Sequence, residues 1–203
     1  MSLTIISLKD LLSGAPIEDK VKQILHTFES ITNYETGEDN DVKFFLHNKA
    51  ISFENIGLSA TYLIFAPYKN EEVLVGYFSI ANKPLTIPAK TFNMLSKSLK
   101  KRFKNIGFEE GDSHFVVPAF LIGQLGKNFS EEAIKTKSLI GDDIVSFAEE
   151  KIKEAMLAVN GKYVWLECIE SEKLINFYER NGYRLLENYT STNGLKIMVK
   201  KIN

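Results

Sequence analysis

Segments rich in β-branched and aromatic residues alternate with segments of helical period along the whole chain of 203 residues. The two β-type segments at 58–66 and 73–81 are separated by turn-forming residues at 67–70, which predicts an antiparallel hairpin. Apolar residues recur at helical spacing from 144 to 159, which predicts a long helix. Because strands and helices alternate without a linker or an internal repeat, we expect a single α+β domain over residues 1–203, with a mixed sheet.

The same patterns define the remaining elements of this domain. The run at 114–125 is apolar enough for a long strand, but Pro118 lacks the amide that a ladder requires, so we expect a bulge or a splay there. Asn193-Gly194 predicts a hairpin between the last two strands. Further β-type segments lie at 3–8, 163–168, 183–189 and 195–201, further helical segments at 17–28, 44–51 and 171–180, and a solvated acidic loop at 35–41.

The charge balance and the cysteine count narrow the class of protein. There are 25 Lys and Arg residues against 26 Asp and Glu residues, and this net charge of −1 excludes binding of nucleic acid or membrane over the whole surface. Cys168 is the only cysteine, which excludes an intramolecular disulfide and suits the cytoplasm, where we expect the protein. No uncharged apolar run reaches the ~18 residues of a spanning helix, so we expect no membrane partner.

One region is strongly biased in charge. Residues 73–108 contain no Asp or Glu, whereas Lys83, Lys90, Lys97, Lys100, Lys101, Arg102 and Lys104 all lie within this region. Apolar residues at 92, 95, 99 and 103 form one stripe, which predicts an amphipathic basic helix as an insertion at about 88–106. A solvated lysine face is the simpler interpretation of this helix, and a contact with RNA phosphates is the alternative.

Several common catalytic motifs are missing. His26, His47 and His114 stand in separate elements without the spacing of metal ligands, so no metal site is expected. The segment 121–128 departs from a phosphate-binding Walker loop at both of its ends. The sequence has no Gly-x-Ser-x-Gly motif, and Cys168 is better explained as a small core residue than as a nucleophile.

An ordered series of features between 121 and 142 predicts an anion-binding site. A long strand ends at Lys127, a loop with Lys135 and Lys137 follows, and Gly141 and Asp142 then open a helix. Backbone amides at a helix start bind anions, and a glycine lets a phosphate approach closely. The simpler interpretation is that Gly141 only begins the helix and Asp142 caps it.

The segment 177–183 reads Phe-Tyr-Glu-Arg-Asn-Gly-Tyr and lies on the helix that follows the strand at 163–168. Together with the broken strand, the loop and the helix described above, in the same order, this string resembles the GNAT superfamily of acyl-CoA-dependent N-acyltransferases. The resemblance covers about residues 61–202. It implies a mixed, mostly antiparallel central sheet with a bulged or splayed fourth strand and helices on both faces.

The resemblance also implies roles for individual residues. The backbone of Leu125, Gly126 and Lys127 would pair with the pantetheine arm of acetyl-CoA as an added strand would. Tyr178 corresponds to the tyrosine that protonates the departing CoA thiolate, and a tyrosine hydroxyl with an ordinary pKa of ~10 carries its proton at neutral pH, as a general acid must. The pyrophosphate would be held by Lys135, Thr136, Lys137, Ser138, Leu139, Ile140, Gly141 and Asp142.

The sequence also departs from the family pattern. Thr136 and Leu139 stand where most members have Gln or Arg and a glycine, and Lys135 and Lys137 are candidates to supply the missing positive charge. At Ser171 many members have an asparagine that contacts the pantetheine. This serine either makes the same contact or caps the helix, and the cap is the simpler role.

The activity implied is acetyl transfer from acetyl-CoA to a primary amine by direct attack within a ternary complex. No general base stands out, and Glu167, His114 and a chain of waters remain open. The string at 117–125 also resembles the branch of toxins that acetylate aminoacyl-tRNA, which makes tRNA a candidate partner of Lys97, Lys100, Lys101, Arg102 and Lys104. A protein N-terminus, a polyamine and a small molecule remain open as acceptors.

The alternative from a different class is a binding module that keeps this fold without turnover. Its basic helix would dock on RNA or on an acidic protein partner. Members of the family often dimerise through exposed sheet edges, so a homodimer is a further expectation for either function.

Overall fold

The computed structural model describes residues 3–13, 18–31 and 41–202. The predicted acidic loop therefore lies outside the described residues except for Asp41, and so does Ile17, where the first predicted helix begins. The contacts divide the chain into two compact units. The first unit contains the described residues up to Ala81 together with Gly123–Ala148, and the second contains Asn82–Ile122 and the residues from Glu149 onward.

The chain begins with elements of the first unit. They are β1 (Thr4–Ser7), α1 (Leu8–Ser13), α2 (Glu18–Leu25), α3 (Asp41–Asn48), α4 (Ala50–Asn55), β2 (Ala60–Tyr68) and β3 (Glu71–Ala81). β1 pairs with β2 and β2 pairs with β3, in both cases antiparallel. Leu8, Leu25 and Leu46 of the helices are at most 1% exposed and join Leu63 and Tyr77 of the sheet in one core.

The hairpin predicted from the sequence is present as β2 and β3. Lys69 and Asn70 form its turn, and both have positive φ values, 52° and 66°. This backbone is typical of a type I′ turn, whose twist matches that of the strands it joins. The segment predicted as one helix at 44–51 is instead two short helices, because α3 ends at Asn48 and α4 begins at Ala50.

After β3 the chain enters the second unit. Its elements there are β4 (Leu85–Pro88), α5 (Ala89–Met94), α6 (Lys97–Lys104), β5 (Phe108–Glu110) and β6 (His114–Val117), and β7 (Phe120–Lys127) follows them. β4, β6 and β5 form a small antiparallel sheet of their own. Pro118 therefore breaks the predicted long strand more strongly than by a bulge, because β6 and β7 lie in different sheets.

The basic amphipathic helix predicted at about 88–106 is two helices, α5 and α6, rather than one. Ser96 begins α6, and its hydroxyl accepts a hydrogen bond from the Leu99 amide over 3.3 Å. Serine caps a helix better than it continues one, which is the physical reason for the break. The apolar stripe is nevertheless buried as predicted, because Phe92, Leu95 and Phe103 join the core of the second unit.

The remaining elements are α7 (Glu131–Thr136), α8 (Gly141–Val159), β8 (Tyr163–Cys168), α9 (Glu172–Arg180), β9 (Arg184–Thr190) and β10 (Lys196–Lys201). In the second unit, β8 lies between β7 and β10, and β9 pairs with the other side of β10. The pair of β7 and β8 is parallel, whereas β10 is antiparallel to both of its neighbours. The sheet is therefore mixed and mostly antiparallel, as predicted.

β7 changes partners along its length. Its ladder with β8 consists of Phe120, Leu121 and Ile122, all in the second unit. From Gly123 onward the strand belongs to the first unit, where it is hydrogen-bonded to β3 at the edge of the order β1-β2-β3-β7. Within the first unit, the outer backbone edge of residues 123–127 has no strand beside it.

Two further observations concern predicted absences. In the three described ranges, no helix is both long enough and apolar enough to cross a membrane. Over those same ranges, no three His, Cys, Asp or Glu side chains come together as ligands of a metal ion would.

Candidate active site

The residues that join β7 to α8 enclose a cavity of about 430 Å³ in the first unit. Its volume falls in the range of small-molecule sites, which is about 300–1,000 Å³. The wall consists of Val75, Lys127, Phe129, Ala133, Ile134, Thr136, Lys137, Ser138, Leu139 and Ile140. The structure therefore gathers most of the predicted pyrophosphate segment around one cavity, while Lys135, Gly141 and Asp142 lie outside its wall.

The mouth of this cavity carries apolar side chains in addition to lysines. Phe129 is 37% exposed, Ile134 52% and Ile140 58%. Apolar side chains that stay in contact with water around a concave site are a common mark of ligand binding. The site thus combines an apolar rim with positive charge.

A short helix shapes the cavity, in a part of the chain where the residue pattern predicted a loop. The Ser130 hydroxyl accepts a hydrogen bond from the Ala133 amide and so caps α7, which ends at Lys137 in the left-handed region with φ 49°. Glu131 and Glu132 in the first turn favour a helix start. A capping serine before two acidic residues was the available signal, but α7 is too short to show periodicity.

The positive charge at the cavity comes from Lys127 and Lys137. Both side chains line it, and neither forms an ion pair with another described residue. Lys135, also predicted to hold phosphate, is paired instead with Glu131 one turn earlier on α7. The hydrogen bond from this ion pair raises the pKa of Lys135 and lowers the pKa of Glu131.

Thr136 and Leu139, which replace family residues, are buried and shape the loop. The Thr136 hydroxyl donates to the Ala133 carbonyl over 2.7 Å and forms a second hydrogen bond with the Ser138 hydroxyl over 2.8 Å. Leu139 packs so closely on the strand opposite that a Cβ at Gly76 would lie 2.5 Å from its Cδ2 atom. A glycine at position 76 is therefore what lets the leucine fit.

The start of α8 lies next to the cavity, whose wall ends at Ile140. The Asp143 carboxylate accepts a hydrogen bond from the Ile140 amide over 2.9 Å, in the manner of the acidic residue of a capping box. Ile140 itself has no side-chain acceptor for the first-turn amides, which begin at Gly141. Asp142 also lies in this turn, where its charge suits the helix dipole and opposes a bound phosphate.

Asn128, directly after β7, positions the start of the loop, and no sequence pattern predicted this role. It is 1% exposed, and its amide donates to the carbonyls of Thr27 and Leu74 over 3.2 and 2.6 Å. Its side-chain carbonyl accepts from the amides of Glu29 and Ser130, each over 2.9 Å. Every hydrogen-bonding group of the side chain is thus used to hold the start of the loop, and no local sequence signal marked it.

Leu125 and Gly126 lie on the part of β7 that forms the edge of the first unit. Gly126 is buried, and a Cβ there would come within 2.5 Å of the Tyr77 ring. Ser171, in the second unit, precedes α9 as predicted, but its side chain makes no capping hydrogen bond. Ser171 therefore does not cap the helix with its side chain, and its hydroxyl remains available to a ligand.

Tyr178 lies near the end of α9 in the second unit and is 9% exposed. Burial raises the pKa of its hydroxyl to about 12, with a smaller contribution from the neighbouring Cys168. Within the described part of the chain, this hydroxyl donates no hydrogen bond. A phenol in this environment stays protonated at neutral pH and is able to donate its proton to a reacting atom.

The helix end behind Tyr178 is a Schellman motif. The Tyr183 amide donates to the Tyr178 carbonyl over 3.0 Å, and the Gly182 amide donates to the Glu179 carbonyl over 2.9 Å. Gly182 has φ 87°, the left-handed conformation this motif requires. The string that carried the family resemblance therefore also specifies how the helix ends.

The basic side chains are found on an exposed face of the second unit. Lys97, Lys101, Arg102 and Lys104 are exposed, and the Lys100 ammonium donates to the Asn93 carbonyl over 3.0 Å. Arg102 and Arg184 border a groove of about 360 Å³ beside α6, together with Glu179 and Glu187. The positive surface is thus continuous along α6 and becomes mixed in charge at the groove.

The mixed sheet and the order of its strands and helices are those of the GNAT fold. No family model matches the sequence, and no curated protein sequence is similar enough to count as a relative. Solved structures do match. The toxin AtaT in a complex with acetyl-methionyl-tRNAfMet has a TM-score of 0.60 at 17% identity, over 98% of this chain and 95% of that chain.

Two other solved structures show the same likeness. A tyrosine-to-phenylalanine variant of KacT has a TM-score of 0.62 at 17% identity, over 99% of this chain and 95% of that chain. A tyrosine-to-phenylalanine variant of the AtaT toxin, bound to the C-terminus of the antitoxin AtaR and to acetyl-CoA, has a TM-score of 0.57 at 17% identity, over 98% and 92% of the two chains. At this identity, the likeness shows a shared fold.

Proposed function

We propose that the protein is an acetyl-CoA-dependent N-acetyltransferase. The observation that carries this proposal is the cavity between β7 and α8, where two unpaired lysines and an apolar rim meet at a helix start. A CoA molecule carries an anionic pyrophosphate and also less polar groups. The two lysines suit the pyrophosphate, and the apolar side chains suit the less polar groups. AtaT, which has this fold, binds acetyl-CoA in a solved structure.

Different residues in and around the cavity would bind different parts of the CoA molecule. Lys127 and Lys137 would neutralise the pyrophosphate, and the amide of Gly141, which lies just outside the cavity wall at the start of α8, would donate to it. Phe129, Ile134, Ile140 and the other apolar wall residues would cover less polar parts of the molecule. The ladder of β7 with β8 ends at Ile122, and the backbone of Leu125–Lys127 beyond it would hold the pantetheine arm through main-chain hydrogen bonds.

Acetyl-CoA supplies an activated thioester, and the chain supplies alignment and a proton. Tyr178 is the proposed general acid that gives its hydroxyl proton to the departing thiolate. With its pKa raised to about 12, the phenol keeps its proton at neutral pH and so is available as a donor. Because a thiol of pKa ~8.5 is the stronger acid, complete transfer to a free thiolate is uphill by itself. The hydroxyl would therefore donate its proton as the C–S bond breaks, and water would return a proton to the tyrosinate afterwards. Ser171 has a hydroxyl free to contact the pantetheine.

For the acceptor, we propose the amino group of an aminoacyl-tRNA. AtaT has been solved in a complex with acetyl-methionyl-tRNAfMet, and this chain carries exposed cations on α6 that a nucleic-acid backbone would neutralise. The alternative function, RNA binding without turnover, uses the same cations. Acetylation of any primary amine by the purified protein separates the two.

The experiment that tests the cofactor is thermal unfolding with increasing acetyl-CoA. At about 100 times the dissociation constant, bound ligand adds ~2.7 kcal/mol to the free energy of unfolding, which raises the melting temperature. The double variant Lys127→Gln, Lys137→Gln should need far more acetyl-CoA for the same shift, whereas Lys153→Gln on the exposed face of α8 should not. Absence of any shift with acetyl-CoA or CoA would contradict the proposal.

A further inference from the structure

A buried ion pair in the second unit lies directly behind the end of α9. The Lys200 ammonium on β10 donates to both carboxylate oxygens of Glu149 over 2.7 Å, and to the Asn181 carbonyl over 2.8 Å. The ammonium therefore directs all three of its donors to fixed partners. The Glu149 side chain is only 10% exposed and that of Lys200 24%, so both charges are largely removed from water.

The third partner of Lys200 is the capping residue of α9. Asn181 also binds the helix with its side-chain amide, which donates to the Phe177 carbonyl over 2.9 Å. Fixing the Asn181 carbonyl therefore fixes the last turn of α9. This turn contains Tyr178, whose own carbonyl is held by the Tyr183 amide.

The Tyr183 ring fills the space between the ion pair and Tyr178. The Lys200 ammonium lies 5.4 Å from the Tyr183 ring centroid, and the Tyr183 and Tyr178 rings meet at 70° with their centroids 5.9 Å apart. Tyr183 is 2% exposed, and its hydroxyl lies beside the Glu149 carboxylate, whose charge adds to burial in raising the pKa of this hydroxyl. Tyr183 thus lies next to both members of the ion pair and packs against the Tyr178 ring.

Gly182 shows how tightly these parts fit. A Cβ on this glycine would lie 3.3 Å from Cε of Lys200, so the lysine stem packs against the left-handed residue of the helix end. The ion pair, the Schellman motif and the two rings form one contiguous contact set, which we call the α9 anchor: Glu149, Lys200, Asn181, Gly182, Tyr183 and Tyr178.

We infer that Lys200, held by Glu149, is a positioning residue that fixes the orientation of the Tyr178 hydroxyl. The role in catalysis rests on the proposed function, whereas the role in orienting Tyr178 does not. Lys200 lies behind the helix and acts on Tyr178 only through Asn181 and Tyr183. Its loss should affect proton donation and leave the binding of acetyl-CoA intact, because the proposed contacts with acetyl-CoA do not involve Lys200 or Glu149.

The first test is a kinetic comparison of Lys200→Met, Lys200→Arg and Lys201→Met. Methionine keeps the stem and removes the donors, arginine restores donors to the same acceptors, and Lys201 is an exposed neighbour on β10. A misplacement of about 1 Å in a catalytic group is able to cost ~10²-fold, so we expect kcat to fall 10- to 100-fold in Lys200→Met. The KM for acetyl-CoA should change less than twofold, Lys200→Arg should recover most of kcat, and Lys201→Met should match the wild type.

A second variant separates positioning from stability. Lys200→Met leaves the Glu149 carboxylate buried without a partner, which is a cause of unfolding by itself. The double variant Glu149→Met, Lys200→Met removes both charges, and replacing a buried ion pair by apolar side chains is often neutral. This variant should fold as stably as the wild type, yet its kcat should still fall 10- to 100-fold because the Asn181 carbonyl has lost its donor.

A readout without turnover tests the orientation directly. In protein labelled with 3-fluorotyrosine, the ¹⁹F resonance of Tyr178 is the one that Tyr178→Phe removes. This resonance should shift in the Glu149→Met, Lys200→Met variant and stay in place in Lys201→Met. An unchanged Tyr178 resonance in the folded double variant overturns the inference, even if the wild type transfers no acetyl group. A wild type without transferase activity contradicts only the proposed function.

Discussion

The backbone amide of Tyr183 donates a hydrogen bond to the carbonyl of Tyr178 over 3.0 Å, and the two rings meet edge to face with their centroids 5.9 Å apart. A hydrophobic contact between these two positions commonly accompanies a Schellman motif. Here the contact also places the phenol that we propose as the general acid. The second tyrosine of the string at 177–183 is therefore structural, whereas the first carries the proposed chemistry.

Replacing Tyr178 by phenylalanine should lower kcat by about 10²–10⁴-fold, because general acid catalysis is worth that much and the ring that packs on Tyr183 is kept. The affinity for acetyl-CoA should be nearly unchanged in calorimetric titration. Tyr68→Phe, at the end of β2, serves as the matched control and should turn over like the wild type. Wild-type kcat in the Tyr178 variant would mean that the tyrosine is only structural.

The raised pKa of Tyr178 predicts a loss of stability in alkali. Burial raises this pKa to about 12 from the ordinary value near 10, so the folded state holds the phenol proton more tightly than the unfolded state does. The free energy of unfolding is then constant below pH 10 and falls between pH 10 and 12 by up to roughly 3 kcal/mol for this group. Other buried tyrosines add to the same trend.

Urea unfolding of wild type and Tyr178→Phe at pH 8, 10 and 11 isolates this contribution. The difference in free energy of unfolding between the two proteins should move in favour of the variant as the pH rises above 10. A difference that stays constant over this range would show that the Tyr178 pKa is not raised.

Substitution of Gly182 by alanine should destabilise the second unit by about 1–2 kcal/mol. The residue has φ 87°, which an L side chain rarely adopts, and its new Cβ would also press on Lys200. Gly194 has φ 79° with nothing within 4 Å, so Gly194→Ala measures the backbone strain alone. Chemical denaturation should therefore give a lower free energy of unfolding for Gly182→Ala than for Gly194→Ala. Equal free energies of unfolding would mean that the contact of the new Cβ with Lys200 costs nothing.

Loss of the Asn128 side chain should both destabilise the first unit and weaken acetyl-CoA binding. Asn128→Ala leaves two part-buried amides, one part-buried carbonyl and one buried carbonyl without the side chain that binds them. A typical unsatisfied buried group costs about 1–3 kcal/mol, and partial exposure lowers this cost, so a total of about 3–5 kcal/mol is expected. Asn93→Ala, at an exposed position on α5, is the control. Thermal unfolding with and without acetyl-CoA measures both effects, and a variant as stable as the control would remove Asn128 from this role.

If α6 binds tRNA, the affinity should fall steeply with salt, with a log–log slope of roughly −0.7 to −0.9 for each phosphate contact. The triple variant Lys97→Gln, Lys100→Gln, Lys101→Gln should bind more weakly and with a flatter slope, yet keep its response to acetyl-CoA. Replacing the exposed Lys153, Lys173 and Lys201 by glutamine makes the same change in charge elsewhere in the second unit. Filter binding that detects no tRNA at low salt would favour a peptide or small-amine acceptor.

Local patterns predicted those elements whose signals are complete within a few residues. The hairpin of β2 and β3 follows from two β-type segments and a turn, β8 follows from its composition, and α8 follows from its period. The break at Pro118 was also predicted, because a missing amide is a property of the residue alone. The order of strand, loop and helix around 121–142 predicted an anion-binding site, and most of the residues lining one cavity come from this segment.

Other features were missed because the local signal was short or ambiguous. α7 has six residues, fewer than periodicity needs, although Ser130 marks its start. The apolar stripe continues through the break between α5 and α6, so the pattern alone predicted one helix where Ser96 begins a second. The separate sheet of β4, β6 and β5 was missed because a β-type pattern does not say with which strand it pairs.

The sequence by itself determined the fold class, the hairpin of β2 and β3 and the long helix α8, because periodicity and turn chemistry are local properties. A family string singled out Tyr178, and the role of that tyrosine stays a prediction. Only the tertiary structure decided which charges are free and which groups support that tyrosine. Lys135 forms an ion pair with Glu131, whereas Lys127 and Lys137 line the cavity. Lys200 forms its ion pair with Glu149, which lies 51 residues earlier in the sequence. Contacts of this kind depend on where the chain returns in space, which no local pattern encodes.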